Sequence, residues 1–514
     1  MFKNNRSIPI ILALFLILTL IVSCKPKNSN DTSSIASSNS SNIGGITSSS
    51  LISDTDTSSV GSDVASTVVS GESSEEPFVP LPIPNLNGAT IRFNNYWYDE
   101  VNTPKSQMGK YRLARIAEIE KILNCKVEMG TVEPNTIFQK LIAGDDFCDI
   151  IDIMGPHMLP GYMKNNLLSP LNNLGINFKD PKFDAAVTKT LTFDGKHYGL
   201  IGNPEGIEKI SLNYVMFFNQ TLLKKLGIND DLYTIQKNGQ WTWAKFEELC
   251  IKITRDTDGD NKPDIWGTTE NSAVYGLLQE LMASNNGDWI KRTSDNPITY
   301  KFTAASDPNA FEALQFWQKL ACTDKVMDLG IAGETTTFIQ GKVGFMPTYL
   351  NRTTLPGFIM GMKDDYGILF MPKGPKATDY VSQLQYYDAE AIVANALRDD
   401  DTNRTKAKGL AAFINLWCDP LLPVNQASTI EKLQKESIVR DKGSLDTINQ
   451  IKQHQVMSEN QIGWDVITGL GAFDDSSWYK GMEAIGQGQD PAAVIEQHIN
   501  QYNAALLSDW QFAQ

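Results

Sequence analysis

Residues able to do covalent or acid–base chemistry are sparse in this 514-residue chain. Its only histidines are His157, His197, His454 and His498, so a histidine-based metal site or triad would need partners folded in from afar. G-x-S-x-G, H-E-x-x-H, G-x-x-x-x-G-K-[ST] and G-x-G-x-x-G are all absent; Gly486-Gln487-Gly488-Gln489-Asp490-Pro491 fails at the third position. Asp388 with Glu390, or Asp474 with Asp475, could form a glycosidase pair only by facing each other across a ligand. Neighbouring acids in an acidic chain are far more often solvated. The one metal-like motif is Asp256-Thr257-Asp258-Gly259-Asp260-Asn261-Lys262-Pro263-Asp264, whose alternating carboxylates (Asp256, Asp258, Asp260, Asp264) suit the oxygen-rich shell of a structural Ca²⁺. Counted from Asp256 as an EF-hand loop, it carries Asn261 at the sixth place and Gly267 at the twelfth. An empty turn is therefore the alternative. No other cofactor is expected.

Aromatics are the richer signal. Sugars present apolar C–H faces ringed by hydroxyls, so their sites combine flat aromatic platforms with amide and carboxylate groups. Trp97, Tyr98 and Asp99 follow a β-prone run and its neighbours Asn94 and Asn95, at the carboxyl end of a strand, where open α/β sheets hold ligands. Further candidates are Tyr214, Trp243, Trp289, Tyr349 with Arg352, Tyr387 with Asp388, and Trp478. Each competes with a core role, because large aromatics also fill cores. Trp243 has a third role open to it, since Thr242 is a candidate N-cap and the tryptophan could simply staple a helix start.

The elements that would position these residues alternate. Ala89 to Phe93 is a short strand; Arg112 to Leu123 places Ile116, Ile119 and Leu123 on one helical face and Arg115, Glu118 and Lys121 on the other. A strand follows over Cys125 to Met129, then a helix over Thr136 to Ala143 and an apolar strand over Cys148 to Met154. Strand and helix alternating through short connections predicts an α/β fold with a mostly parallel sheet flanked by helices. Phe311 to Ala321 and Lys406 to Trp417 read as further amphipathic helices, the second stopped by Pro420. No internal repeat is visible.

Composition divides the chain. Residues 28–76 hold no Lys, Arg or aromatic residue and are about one-third Ser, which cannot bury enough apolar surface to offset the entropy of ordering. Ahead of them, Lys3 and Arg6 precede an apolar run from Ile8 to Val22, short of the roughly 20 residues that span a bilayer. The run ends in Ile21-Val22-Ser23-Cys24 and resembles a bacterial lipobox. The resemblance implies a signal peptide over 1–23, lipidation of Cys24, and a tether over 24–84 that holds the protein to the membrane through acyl chains alone. Sixty acidic against 45 basic residues give a net charge of −15, about −12 of it on residues 77–514, which excludes a nucleic-acid partner without a strongly basic patch. A neutral ligand is indifferent to that field. Cys125, Cys148, Cys250, Cys322 and Cys418 are odd in number and contain no C-x-x-C, so neither a disulfide framework nor a zinc site is indicated.

Five features in order resemble the family 1 extracellular solute-binding proteins, the lipid-anchored sugar-capturing components of ABC importers in Gram-positive bacteria. They are the lipobox and Ser-rich tether; the opening alternation ending in Gly144-Asp145-Asp146-Phe147-Cys148-Asp149-Ile150-Ile151; Gly195-Lys196-His197-Tyr198-Gly199-Leu200 running into Leu212-Asn213-Tyr214 and Phe218-Asn219-Gln220-Thr221-Leu222; Trp241-Thr242-Trp243; and Gly341-Lys342-Val343-Gly344-Phe345-Met346 with Met371-Pro372-Lys373-Gly374-Pro375. The chain departs from that pattern in carrying Phe217-Phe218 before Asn219 where Tyr is commoner, and in a longer C-terminal part. The resemblance implies a two-lobed, type II periplasmic-binding-protein-like fold. Lobe 1 would comprise 85–205 with 386–455, and lobe 2 would comprise 206–385 with 456–514. A carbohydrate, an oligosaccharide in particular, would lie in the cleft of a monomer that closes by hinge motion and delivers its load to the transmembrane permease subunits. The alternatives are a surface-anchored glycoside-active enzyme and an adhesion or scaffold lipoprotein.

Overall fold

The computed structural model describes residues 78, 80–95, 107–202, 208–270, 276–295, 298–329, 334–354, 357–384, 388–397, 405–422, 424–457, 460 and 477–510. The strands that shape the site are, in chain order, β1 (Thr90–Asn94), β2 (Lys126–Gly130), β3 (Ile150–Met154), β4 (Leu168–Ser169), β5 (Tyr214–Asn219), β6 (Trp266–Thr269), β7 (Met327–Asp328), β8 (Val343–Tyr349), β9 (Tyr366–Leu369), β10 (Ser382–Gln383), β11 (Asp388–Val393) and β12 (Gln455–Val456). The helices packed on them are α1 (Gln107–Leu123), α2 (Pro134–Ile142), α3 (Gly155–Lys164), α4 (Trp243–Ile253), α5 (Gly276–Ala283), α6 (Pro308–Gln318), α7 (Thr405–Trp417), α8 (Val424–Ile438), α9 (Lys442–Ile448), α10 (Trp478–Gly486) and α11 (Pro491–Trp510).

Local chemistry starts and orients several of these. Thr242 caps α4, its hydroxyl accepting from the Lys245 amide, and Trp243, Phe246, Leu249, Cys250 and Ile253 all turn inward, the helical stripe that must face a core. Ser477 caps α10 and Asp441 caps α9 in the same way. β5 and β8 are buried at every position, as expected of strands covered on both faces.

Two five-stranded sheets result. In lobe 1 the order is β2-β1-β3-β11-β4, with β1 parallel to β2 and β3 and β11 antiparallel to both its neighbours. α7 covers this sheet and lies against α1, bringing Phe413 and Trp417 edge-on to Phe93 at 5.3 Å each. In lobe 2 the order is β7-β6-β8-β5-β9, with β6, β7 and β8 parallel and β5 antiparallel to both its neighbours. The reversed strand of each sheet is the one the chain delivers from the other lobe. That arrangement is the α/β alternation expected from the sequence, built twice.

One boundary moves. Residues 424–456 pack with lobe 2 rather than lobe 1. Tyr366 of β9 donates to the Ile438 carbonyl at 2.7 Å, the Ile368 amide to Ser444 at 2.9 Å, and Gln236 to Thr447 at 3.0 Å, while β12 pairs with β10. The chain therefore leaves lobe 1 just after α7, around Pro420, and not at residue 455. α11 packs on the Ile298–Phe302 strand of lobe 2 and also touches α3 of lobe 1.

Candidate functional site

The pairing registers locate the junction between the lobes. β11 enters lobe 1 with Asp388 opposite Met154, the last residue of β3, and β5 enters lobe 2 with Tyr214 opposite Tyr349, the last residue of β8. Each crossing strand thus begins at the carboxyl edge of the sheet it joins. Both carboxyl edges, where α/β sheets place their ligands, meet at the crossing.

The crossing is clamped at both ends by backbone pairing. On lobe 1, Leu200 and Glu390 exchange amide–carbonyl bonds of 3.1 and 2.9 Å. On lobe 2, Asn213 bridges Leu384, its side-chain amide donates to the Ser382 carbonyl at 3.0 Å, and its own carbonyl accepts from Leu350 at 3.0 Å. Ser382 Oγ returns a bond of 2.7 Å to the Tyr214 carbonyl. Against this clamp, Tyr214 and Tyr349 meet edge to face at 4.3 Å, and the Arg352 guanidinium lies over the Tyr349 ring at 5.6 Å and the Phe358 ring at 4.5 Å.

Polar side chains are concentrated here. Asn213, Thr348 and Gln383 are fully buried, yet Asn213 Oδ1, Thr348 Oγ1 and both polar atoms of Gln383 have no hydrogen-bond partner among the described residues; Asn351 Oδ1 and Arg352 Nε are alike. Buried polar atoms are ordinarily paired, so a run of them beside an aromatic pair marks a place built for hydrogen bonds to something else. Tyr214, Tyr349 and Arg352 are among the residues expected from the sequence, whereas Asn213, Thr348 and Gln383 are not. The available signal was a polar residue inside an otherwise apolar strand, as Thr348 is in Val343–Tyr349.

The other candidate residues fall elsewhere. Trp289 and Trp478 lie in the core of lobe 2, edge to face at 5.8 Å, with Trp478 also against Phe302 and Tyr502. The Trp289 amide and indole N–H both bond to Asn460. Trp243 is likewise a core residue, stacked on Phe316 at 4.6 Å with its indole N–H on Ser284. Here the competition between core and cleft goes to the core. Asp388 is placed only through its backbone, while Cys24, Trp97, Tyr98, Asp99 and Tyr387 lie outside the described residues. Glu390 accepts from the Trp417 indole N–H at 2.7 Å. That bond turns it under α7.

In the Asp-rich turn, Asp256, Asp258 and Asp260 are exposed and offer oxygens within 4.8 Å of one another. Asp264 is not one of this group; its Oδ2 accepts from the amide and hydroxyl of Thr257 at 2.7 and 2.5 Å. Asp256 already takes the amides of Asp258, Gly259 and Asn261. The turn therefore holds its shape through its own backbone and keeps three carboxylates converging, a donor set compatible with Ca²⁺. No disulfide links Cys125, Cys148, Cys250, Cys322 or Cys418. Burial, with the Asp149 charge, pushes the Cys148 thiol up to about 12, and such a thiol stays protonated and inert. Among the described residues no helix is long and apolar enough to cross a membrane.

Comparison with known proteins decides the family. The profile described as bacterial extracellular solute-binding protein matches residues 114–429, more than half of the chain. This chain belongs to the bacterial extracellular solute-binding protein family. No curated protein sequence matches it. Among solved structures, this solute-binding protein is similar to an ABC substrate-binding protein of Listeria monocytogenes in complex with cycloalternan (18% identity, TM-score 0.54, covering 81% of this chain and 98% of that one). It is similar also to the maltose/maltodextrin-binding domain of Bdellovibrio bacteriovorus bound to maltotriose (16%, 0.50, 82% and 99%) and to a Mycobacterium tuberculosis protein in complex with glycerophosphocholine (15%, 0.54, 82% and 98%). At these identities the likeness concerns the fold, and it is the type II periplasmic-binding-protein-like fold expected from the sequence.

Proposed function

We propose that this solute-binding protein captures a carbohydrate, an oligosaccharide in particular, between its lobes and delivers it to an ABC permease from the outer face of the membrane. The observation that carries the reading is the crossing itself: the Tyr214–Tyr349 pair beside Asn213, Thr348 and Gln383. Aromatic faces cover the C–H surfaces of a sugar while the buried amides and hydroxyl take its hydroxyls. The oligosaccharides held by similar structures support the same ligand class. Anchoring would be through lipidated Cys24 and the Ser-rich tether, and the protein would act as a monomer without a catalytic step. Calorimetric titration with a panel of neutral oligosaccharides tests the reading. One linkage class is expected to bind, and Tyr349→Ala to weaken it by about tenfold or more; heat from none of the panel would overturn it.

A further inference from the structure

Beside the crossing, the carboxyl end of β6 leads to Glu270, which is almost wholly buried. Its carboxylate closes over the start of α5. Oε1 accepts from the Leu277 amide at 2.8 Å, and Oε2 accepts from the Leu278 amide at 3.1 Å and from the Trp317 indole N–H on α6 at 2.7 Å. In these three bonds both oxygens act as acceptors, as in an ionised carboxylate. α5 begins at Gly276, where a Cβ would collide with the Tyr214 hydroxyl, so this helix start stands directly over the first residue of the crossing strand. Glu280, four residues on and hence on the same side of α5, is a second fully buried acid.

A helix start at the carboxyl edge of an α/β sheet is where such folds can hold an anion, through free amides and the positive end of the helix dipole. In this chain those amides are taken by the protein's own carboxylate. We propose that Glu270 sets the charge class of the solute, so that the cleft accepts uncharged ligands and rejects anionic ones. The proposal rests on the carbohydrate reading above and narrows it to neutral rather than uronic or phosphorylated sugars. Glu270 acts through its field, without touching the solute. In general, a unit charge ~7 Å from an anionic group, at an effective dielectric near 20 and partly offset by a helix dipole, changes the affinity by about tenfold to a hundredfold. Arg352 works in the opposite sense, but its charge faces the rings of Tyr349 and Phe358.

The test pairs each neutral oligosaccharide of a panel with its terminally oxidised uronic acid form, adds inorganic phosphate and glycerol 3-phosphate, and measures binding to the full chain by calorimetry at fixed ionic strength. The neutral form is expected to bind about tenfold to a hundredfold tighter than its acid. Glu270→Gln should narrow that ratio several-fold, and Arg352→Gln should leave the order of preference intact. Equal or tighter binding of the acid, binding of phosphate in preference to the neutral forms, or an unchanged ratio in a folded Glu270→Gln protein would overturn the proposal. Should Glu270→Gln not fold, the wild-type ratio decides alone. A neutral solute that is not a sugar would sink the carbohydrate reading and uphold the charge assignment; an acidic sugar would do the reverse.

Discussion

Gly276→Ala tests whether α5 really stands over the crossing strand. On helix propensity alone the change should stabilise the protein by about 0.5–1 kcal/mol. Against that, the new methyl would enter space held by Tyr214, whose hydroxyl it would meet first and whose Cε1 and Cζ lie 3.1 Å from its ideal position. Tyr214 has little room to yield, being fully buried and edge to face with Tyr349 at 4.3 Å. Overpacking of this kind costs about 1–3 kcal/mol, so a net loss of about 1–2 kcal/mol is expected. Tyr214→Phe removes the oxygen and leaves only the tighter ring contacts. The double variant should therefore recover part of the loss, with a coupling of at least about 0.5 kcal/mol. Urea unfolding of the parent, the two single variants and the double variant, followed by tryptophan fluorescence, measures it. A Gly276→Ala protein as stable as the parent, or losses that simply add, would refute the placement of α5 and with it the geometry assigned to Glu270.

Other expectations follow from separate parts of the molecule. Trp478→Phe should cost about 1–3 kcal/mol of stability, since Trp478 packs against Trp289, Phe302 and Tyr502, yet it should leave ligand affinity within about twofold, the reverse of Tyr349→Ala. Asp149 is buried between Arg92, at 2.8 Å, and Lys406, at 3.0 Å. Burial pushes its carboxyl up, but the bonds from Arg92 and Lys406 outweigh this and hold it below its ordinary value of 3.8. A carboxyl lowered in the folded state adds stability above its unfolded value and loses it as the pH falls through the folded one. Asp149→Asn should thus cost about 3 kcal/mol near neutrality, and the gap between wild type and variant should shrink below about pH 4 in a thermal-melt series. For the Asp-rich turn, added Ca²⁺ should raise the melting temperature, and Asp258→Asn with Asp260→Asn should abolish the rise; an identical response in that variant would place any calcium effect elsewhere.

Local periodicity made the opening β1–α1–β2–α2–β3 alternation legible, because each element there is amphipathic or apolar over its own length and joined by short connections. The third crossing was not legible. Pro420 stops α7 visibly, but what draws α8 and α9 to lobe 2 is a set of contacts from Tyr366, Gln236 and the Ile368 amide, each more than seventy residues away in sequence. The aromatic candidates divided for a similar reason. Trp289 and Trp478 are 189 positions apart and look like cleft residues from their polar neighbours, yet they pack on each other in one core. Tyr214 and Tyr349 are set at the crossing only by the register of β5 on β8. Glu270 sits four residues after the Trp266 that opens β6 and six before Gly276. Its role emerges only when the chain folds back to bring the α5 amides and Trp317 onto one carboxylate.

If the two lobes close about a bound neutral sugar, the molecule contracts on binding. Small-angle scattering from the full chain, with and without a saturating oligosaccharide identified by calorimetry, measures it most directly. A smaller radius of gyration with ligand, reversed on its removal, is expected. Binding with no change in the scattering curve would contradict it.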